Sequence, residues 1–365
     1  MKNTFGTSVA VTLFGESHGE YIGAVIDGIC PGISIDNEYI EACLERRRPQ
    51  LACDTKRREK DLYKIISGVF NGKTTGTPLT IIIPNEDTKS ADYQSISPRP
   101  SHADYTARVK YHGYEDYRGG GHFSGRITAA LVVVGAILTK ALNNLGIEIG
   151  THILECAGIK ENEFGLCPEL EVKALNEKSF PILNDQIAEK MLEEIENARL
   201  DCDSVGGILE SAICGMPVGI GEPWFDTMEG VISHALFSLG GVKGVEFGGG
   251  FDLAKMRGSQ ANDPFEIKDG KVVTAKNSNG GINGGITNGM PIIVKTAVKP
   301  TPSISKAQNS VDLSKMENTT LEIKGRHDPA IVRRIAPVIN SVLAIAISDM
   351  LAQRYGTDVF LKGIN

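Results

Sequence analysis

Apolar positions along the chain alternate between a period of two and a period near 3.6, and the switches between them divide the sequence into elements. Ser8–Phe14 and Ile22–Ile29 read as strands around the turn Gly15-Glu16-Ser17-His18-Gly19. Asn37–Arg48 follows with helical spacing: Asp36 can cap it, Ile35 and Ile40 stand at staple spacing, and Pro49 ends it. Leu62–Phe70 and Leu79–Ile83 are β-rich runs around the turn-rich Asn71–Pro78, which predicts a hairpin. From Pro84 to Gly125 no period holds, and a loop of that length inside a compact domain is usually functional. Gly125–Asn143 predicts a helix, with Gly146 just past its end. Residues 184–199 predict an amphipathic helix with Ile187, Met191 and Ile195 on one stripe. Further on, strands are expected near Gly207–Cys214 and over Ile292–Val298, and a helix near Glu229–Leu239. A strand at Thr320–Lys324 feeds the turn Gly325–Pro329, and the last long helix is expected over Ile331–Gln353.

The pattern also repeats. Residues 68–78 read GVFNGKTTGTP and residues 281–291 read GINGGITNGMP, so that Gly68, Gly72, Thr74, Gly76 and Pro78 match Gly281, Gly285, Thr287, Gly289 and Pro291. Each segment leads into a β-rich run, a loop of functional character and a long helix, which predicts two halves of one plan related by a pseudo-two-fold. No Pro/Ser-rich linker separates them, so the expected organisation is a single domain over residues 1–365.

Composition narrows the function. Hydrophobic residues make up 41% and charged residues 23% of the chain, which excludes a disordered polymer. The 38 Lys and Arg against 45 Asp and Glu leave a net charge of −7, which argues against a nucleic-acid coat and makes any cationic site local. The longest apolar run, Ile127–Leu138, falls short of the roughly 18–20 residues a bilayer needs, and no secretory signal is apparent; a cytoplasmic protein without a membrane partner is expected. Seven scattered cysteines, 30, 43, 53, 156, 167, 202 and 214, show no C-x-x-C spacing; reduced, buried thiols and no metal site are expected. Gly72-Lys73-Thr74 resembles the end of a P-loop, but Ser67 stands where that loop needs glycine and a strand follows instead of a helix. No G-x-G-x-x-G opens a helix, so a dinucleotide fold has no support.

Chemistry concentrates on four stiffened turns. His18 lies beside Glu16 and Ser17, between glycines, and His102 sits in Arg99-Pro100-Ser101-His102-Ala103-Asp104. Each alone reads as a structural imidazole or turn cap; together they read as proton donors. Gly119–Arg126 leads into a helix, whose first amides suit a phosphate, although Ser124 can equally serve as an N-cap. The basic residues Arg46, Arg47, Arg48, Lys56, Arg57 and Arg58, with Arg99, Arg108, Arg118 and Arg126, form either a solvated face or a cradle for a small polyanion. Arg326 and Asp328 share the last turn, where a local salt bridge is the simpler reading.

In this order, these segments resemble the chorismate synthase family. The first signature is Gly15–Gly19 through Asp27-Gly28; Arg99–Thr106 is similar to its RP-x-HAD-x-T segment, Arg118–Arg126 to its RGGG turn, Lys299–Ser303 to its KPT-x-S segment and Gly325–Pro329 to its GR-x-D-P segment. The resemblance implies an α+β fold of helices sandwiched between two antiparallel sheets, assembled as a homotetramer. It implies a lyase that converts 5-enolpyruvylshikimate 3-phosphate to chorismate and phosphate by anti-1,4 elimination. This is the last step of the shikimate pathway, and it needs reduced FMN without net oxidation; NADPH enters only as an indirect source of reducing equivalents. Carried over residue by residue, His18 would protonate the departing phosphate, His102 would lie beside the flavin and Asp328 would assist proton removal. Arg47, Arg48, Arg58, Arg126 and Arg326 would bind the substrate anions. Arg47, His122, Phe123, Ser124, Gly240, Gly241, Gly284, Lys299, Pro300, Thr301, Pro302, Ser303 and Arg326 would contact FMN. His122 stands where many relatives carry arginine, as does Cys53. A monofunctional enzyme supplied with reduced FMN is therefore expected. Substrate and cofactor together carry several anionic groups, and gathering them needs several guanidinium groups in a water-poor site. A flavin oxidoreductase and a non-catalytic phosphate-binding module are the competing classes.

Overall fold

In the computed structural model, which describes residues 2–51, 54, 59–86, 96–323 and 328–364, period-two segments build two five-stranded antiparallel sheets that enclose a layer of helices. The first sheet comprises β1 (Thr4–Phe5), β2 (Ala10–Gly15), β3 (Tyr21–Asp27), β4 (Lys64–Ser67) and β5 (Leu79–Pro84), in the order β1-β2-β3-β5-β4. Helix α1 (Asn37–Arg47) precedes β4, and α2 (Thr128–Asn143) follows the sheet. The second sheet comprises β6 (Glu148–Cys156), β7 (Ile159–Lys160), β8 (Gly207–Cys214), β9 (Val242–Phe247) and β10 (Ile292–Val298), in the order β9-β10-β8-β6-β7. Helix α3 (Met228–Phe237) precedes β9, and α4 (Val332–Tyr355) closes the second half.

The repeat seen in the sequence is therefore a structural one. Strand, strand, helix, strand, strand, helix occurs twice, and the spatial orders β2-β3-β5-β4 and β6-β8-β10-β9 correspond. The matched Gly-rich segments are small hairpins ahead of β5 and β10, and their glycines take positive φ in both copies: 84°, 72° and 83° at Gly68, Gly72 and Gly76, and 81°, 87° and 90° at Gly281, Gly285 and Gly289. The matched threonines tie the same knot. Thr74 Oγ1 donates to the Cys30 carbonyl at 2.7 Å and accepts the Ile33 amide at 2.9 Å. Thr287 Oγ1 donates to the Pro217 carbonyl at 2.6 Å and accepts the Ile220 amide at 2.9 Å.

Local chemistry sets the boundaries. Asp36 caps α1 by accepting the Tyr39 amide at 2.9 Å, and extended Arg48 before Pro49 ends it. β10 reads IIVKTAV with every second residue buried, as a strand with one covered face requires. Helices α2 and α4 are buried nearly all round and pack on each other. Gly125–Asn143 and Val332–Tyr355 are long and apolar enough to cross a bilayer, which the sequence reading did not allow for, but 83% and 94% of these stretches lie buried inside the protein. Their crossing depends on Gly135: a Cβ there would stand 2.2 Å from Ser341 Cβ and 2.4 Å from its Cα. Asp349 of α4 accepts the amides of Thr7, Ser8 and Val9 at 2.7–3.1 Å, which anchors the N-terminal segment.

Several expectations need correction. The stretch Pro84–Gly125 is not wholly irregular: Asp104–Lys110 is α-helical, and Arg118–Phe123 is a run of tight turns broken by three glycines with non-helical backbone. The last expected strand ends earlier, as Glu317–Leu321, and pairs with Gln308–Asp312. Strands β6 and β9 went unread, because β6 is buried on both faces and has lost its alternation. Among the described cysteines, Cys30, Cys43, Cys156 and Cys214 are buried, but Cys167 and Cys202 are exposed.

Gly135→Ala is expected to lower unfolding free energy in urea by about 1–3 kcal/mol, the cost of overpacking a close helix crossing. Gly258→Ala, where a Cβ meets open space, is the control. Equal stability of the two variants would show that the crossing tolerates a wider separation.

Candidate active site

Three consecutive glycines bring the distant turns together. Gly119, Gly120 and Gly121 take φ of 60°, 85° and 54°, a left-handed run that side chains disfavour. The run lies against the first signature: the Ser17 amide donates to the Gly121 carbonyl at 3.0 Å, and His122 Nδ1 lies 2.8 Å from the Gly15 carbonyl. A Cβ on Gly119 would stand 2.4 Å from His18 Cε1, and one on Gly120 would stand 3.2 Å from His102 Cε1. Adjacent glycines thus pack against the two imidazoles singled out from sequence.

Beside this contact lies a cavity of about 880 Å³. Its cationic lining includes Arg47, Arg48 and Arg126, with Lys243 and Lys299. Burial, and then the charge of Lys243, push the Lys299 ammonium below its ordinary value. Its apolar lining includes Phe5, Leu13, Leu131, Ile335, Val338 and Val342. A cavity lined by both apolar and cationic side chains suits a planar aromatic ring that carries a phosphate, so the residues present fit a flavin mononucleotide.

The guanidinium groups are held by buried carboxylates. Asp61 Oδ2 lies 3.3 Å from Arg47 Nη1 and 3.6 Å from Arg48 Nε, and Asp61 Oδ1 pairs with Arg126 Nη1. Glu59 pairs with Arg126 Nη2 at 2.9 Å. Protein oxygens fix the forks further: Arg47 donates to Thr128 Oγ1 at 3.0 Å and to the Gly125 carbonyl at 2.8 Å, and Arg126 donates to Asn85 Oδ1 at 2.9 Å and to the Pro84 carbonyl at 3.0 Å. Burial alone would raise the Asp61 carboxyl, but Arg47 and Arg126 outweigh it and hold it below the ordinary range. Burial pushes the Arg47 guanidinium down to about 10, against the opposing charge of Asp61.

Most of the residues singled out from sequence line this one cavity. His102, His122, Phe123 and Ser124 do so, as do Gly240, Gly241 and Asp328. So does the run Lys299, Pro300, Thr301, Pro302 and Ser303. Ser124 also accepts the Arg126 amide at 3.3 Å, so it caps the following turn as well as facing the cavity. Asp328 is paired with Arg334. His18 is buried behind Gly119 and does not line the cavity itself. Gly284 lies away from it altogether: it sits at the turn of the hairpin Ile282–Asn283 and Ile286–Thr287, in open space, and is not among the residues lining the cavity. That hairpin packs on the Glu222–Thr227 turn, since a Cβ on the neighbouring Gly285 would meet Glu222 and Thr227. Arg58 and Arg326 lie outside the described residues, as does Cys53.

Sequence reasoning missed several cavity residues. Lys2, Asn3, Thr4 and Phe5 reach it because Asp349 anchors the segment after them. His234 of α3 also lines it, edge-on to Phe5 with ring centroids 5.3 Å apart. Asp61 was missed as well; its one local signal was an acidic residue just after a basic run.

Comparison with known proteins agrees with this geometry. Residues 9–352 match the family model described as chorismate synthase. The chorismate synthase of Korarchaeum cryptofilum (strain OPF8) is 47% identical over 348 residues, covering 94% of this chain and 96% of that protein. The chorismate synthase of Thermococcus gammatolerans is 46% identical over 352 residues, covering 96% of this chain and 97% of that protein. A solved crystal structure of a chorismate synthase superposes with a TM-score of 0.76 at 28% identity, covering 96% of this chain and 93% of that one.

Asp61→Asn strands three guanidinium groups around a neutral amide and is expected to cost about 3–5 kcal/mol near neutral pH. Because the folded carboxyl is depressed, its contribution is complete above the unfolded value of about 3.9 and is lost as pH falls through the folded value. Urea unfolding at pH 7 and pH 3 should therefore show a deficit that shrinks in acid. A deficit of the same size at both pH values would deny Asp61 this role.

Proposed function

Because the chain belongs to the chorismate synthase family, a family of lyases, we propose that it catalyses the anti-1,4 elimination of phosphate from 5-enolpyruvylshikimate 3-phosphate, giving chorismate. The observation that carries this reading is the packing of His18 and His102 against adjacent glycines beside a cavity walled by Arg47, Arg48 and Arg126. The elimination expels a phosphate from one carbon and removes a proton from another, so it needs an acid, a proton acceptor and a cradle for anions.

Each of these residues has a part in the elimination. The guanidinium groups of Arg47, Arg48 and Arg126 bind the substrate's phosphate and carboxylates; their forks are already fixed, so ordering them on binding costs little. His18 delivers a proton to the departing phosphate, His102 holds a proton beside the cofactor, and Asp328 takes part in proton removal. Lys299–Ser303, Gly240, Gly241, His122, Phe123 and Ser124 would hold FMN, and the ammonium groups of Lys299 and Lys243 suit its phosphate. Reduced FMN, when bound there, would supply an electron-rich ring for an elimination that involves no net oxidation. Reducing equivalents come from outside the chain, with NADPH as an indirect source, and the reaction belongs to the shikimate pathway in the cytoplasm.

We also propose a homotetramer. The hairpin Phe265–Lys268 and Lys271–Thr274 exposes Phe265, Ile267 and Val272, and a two-stranded unit is marginal alone in water. Covering it with another copy of the chain buries that apolar surface.

Under anaerobic conditions with reduced FMN, phosphate and chorismate should appear together in equal amounts while the flavin ends reduced. Flavin oxidised in step with substrate loss would favour an oxidoreductase, and binding without turnover would favour a carrier of phosphorylated ligands. His18→Ala is expected to lower kcat by roughly 10²–10⁴-fold, the usual contribution of a positioned acid. A fall of less than tenfold would make His18 a structural imidazole.

A further inference from the structure

We propose that Asp104 is the positioning residue that makes Nδ1 of His102 a fixed donor and leaves Nε2 as the ring's only exchangeable face toward the cavity. The inference rests on the reading of His102 as a functional imidazole and adds the group that orients it. His102 Nδ1 lies 2.6 Å from Asp104 Oδ1. An ionised carboxylate can only accept, so the proton of that contact sits on Nδ1. The opposite edge of the ring faces Gly120, whose Cβ would stand 3.2 Å from Cε1 and 3.4 Å from Nε2, and His102 lines the cavity.

Asp104 is itself held from several sides. Arg99 grips it as a fork, Nε on Oδ2 and Nη2 on Oδ1, both at 2.8 Å, and the Arg99 amide donates to Oδ2 at 3.0 Å. Burial would raise this carboxyl, but the hydrogen bonds from Arg99 and His102 prevail and hold it well below the ordinary range, so it remains an acceptor. The same arginine reaches across the cavity rim: its Nη1 donates to Ser303 Oγ at 3.2 Å, while Lys299 Nζ donates to the Ser101 carbonyl at 2.6 Å. The loop that carries His102 is thereby clamped at both ends to the Lys299–Ser303 segment.

The test uses full-length protein with ring-¹⁵N histidine, observed by magic-angle-spinning NMR, with His102 assigned by its loss in His102→Gln. In the unmodified chain the neutral ring should carry its proton on Nδ1. In Asp104→Asn the amide group can donate to Nδ1, and the ring should shift to the Nε2–H form. kcat should fall about 10–100-fold, the range for a partner that orients a functional imidazole, with KM changed less than threefold. Asp104→Glu, which keeps the acceptor, should retain the Nδ1–H signal and recover part of the rate; it carries the test if the asparagine variant does not fold. An Nδ1–H signal unchanged in Asp104→Asn, or a rate not recovered at all by folded Asp104→Glu, overturns the proposal. Failure of the unmodified protein to release phosphate would overturn the proposed function instead, because the ring spectrum needs no substrate.

Discussion

Three guanidinium groups crowded at one cavity repel one another and lose much of their hydration, and the site exists only because Asp61 lies among them. Its carboxylate is almost wholly buried and meets Arg47, Arg48 and Arg126. Without it the arginines would turn outward to water, as long basic side chains do. With it, together with Glu59 on Arg126, the cluster is neutralised enough to be buried and stays cationic enough to attract an anion. The arginines arrive from α1 and from the turn before α2, and that packing, joined through Thr128 and the Gly125 carbonyl, is in turn set by the burial of both helices.

A second constraint concerns close approach. His18 and His102 belong to turns far apart in sequence, and they come together only where the intervening backbone has no side chain. Gly119 and Gly120 meet that need, and with Gly121 their positive φ values let three consecutive residues turn without strain. Charge and glycine therefore do complementary work here: one fills the cavity wall, the other thins the partition behind it.

Much of this was legible in the chain. The offset between Gly68–Pro78 and Gly281–Pro291 disclosed the repeat, because left-handed glycines and a buried threonine leave few alternatives at those positions. Asp36, Pro49 and the apolar runs of α2 and α4 marked the helices. Strand β6 was hidden because a strand covered on both faces carries no alternation. The cavity's N-terminal wall was hidden too: nothing about Lys2–Phe5 announces a ligand site, and their position follows from Asp349 of α4, distant in sequence, accepting the amides of Thr7 to Val9. Asp61 and Asp104 were passed over for a related reason. Acidic residues near basic ones usually mark a solvated surface, and only the fold shows which of them are buried.

The repeat bears on how such a site could be varied. In one half, α1 ends in Arg47 and Arg48; in the other, α3 is followed by Gly240 and Gly241; and both helix ends face the same cavity. The threonine knots and the glycine hairpins stayed alike because backbone geometry permits little else. The two helix ends are under no such restraint: one carries a patch of charge and the other a stretch of bare main chain. Two equal ends would suit a symmetric guest, whereas two unlike ends can grip a guest that is anionic at one end and flat at the other.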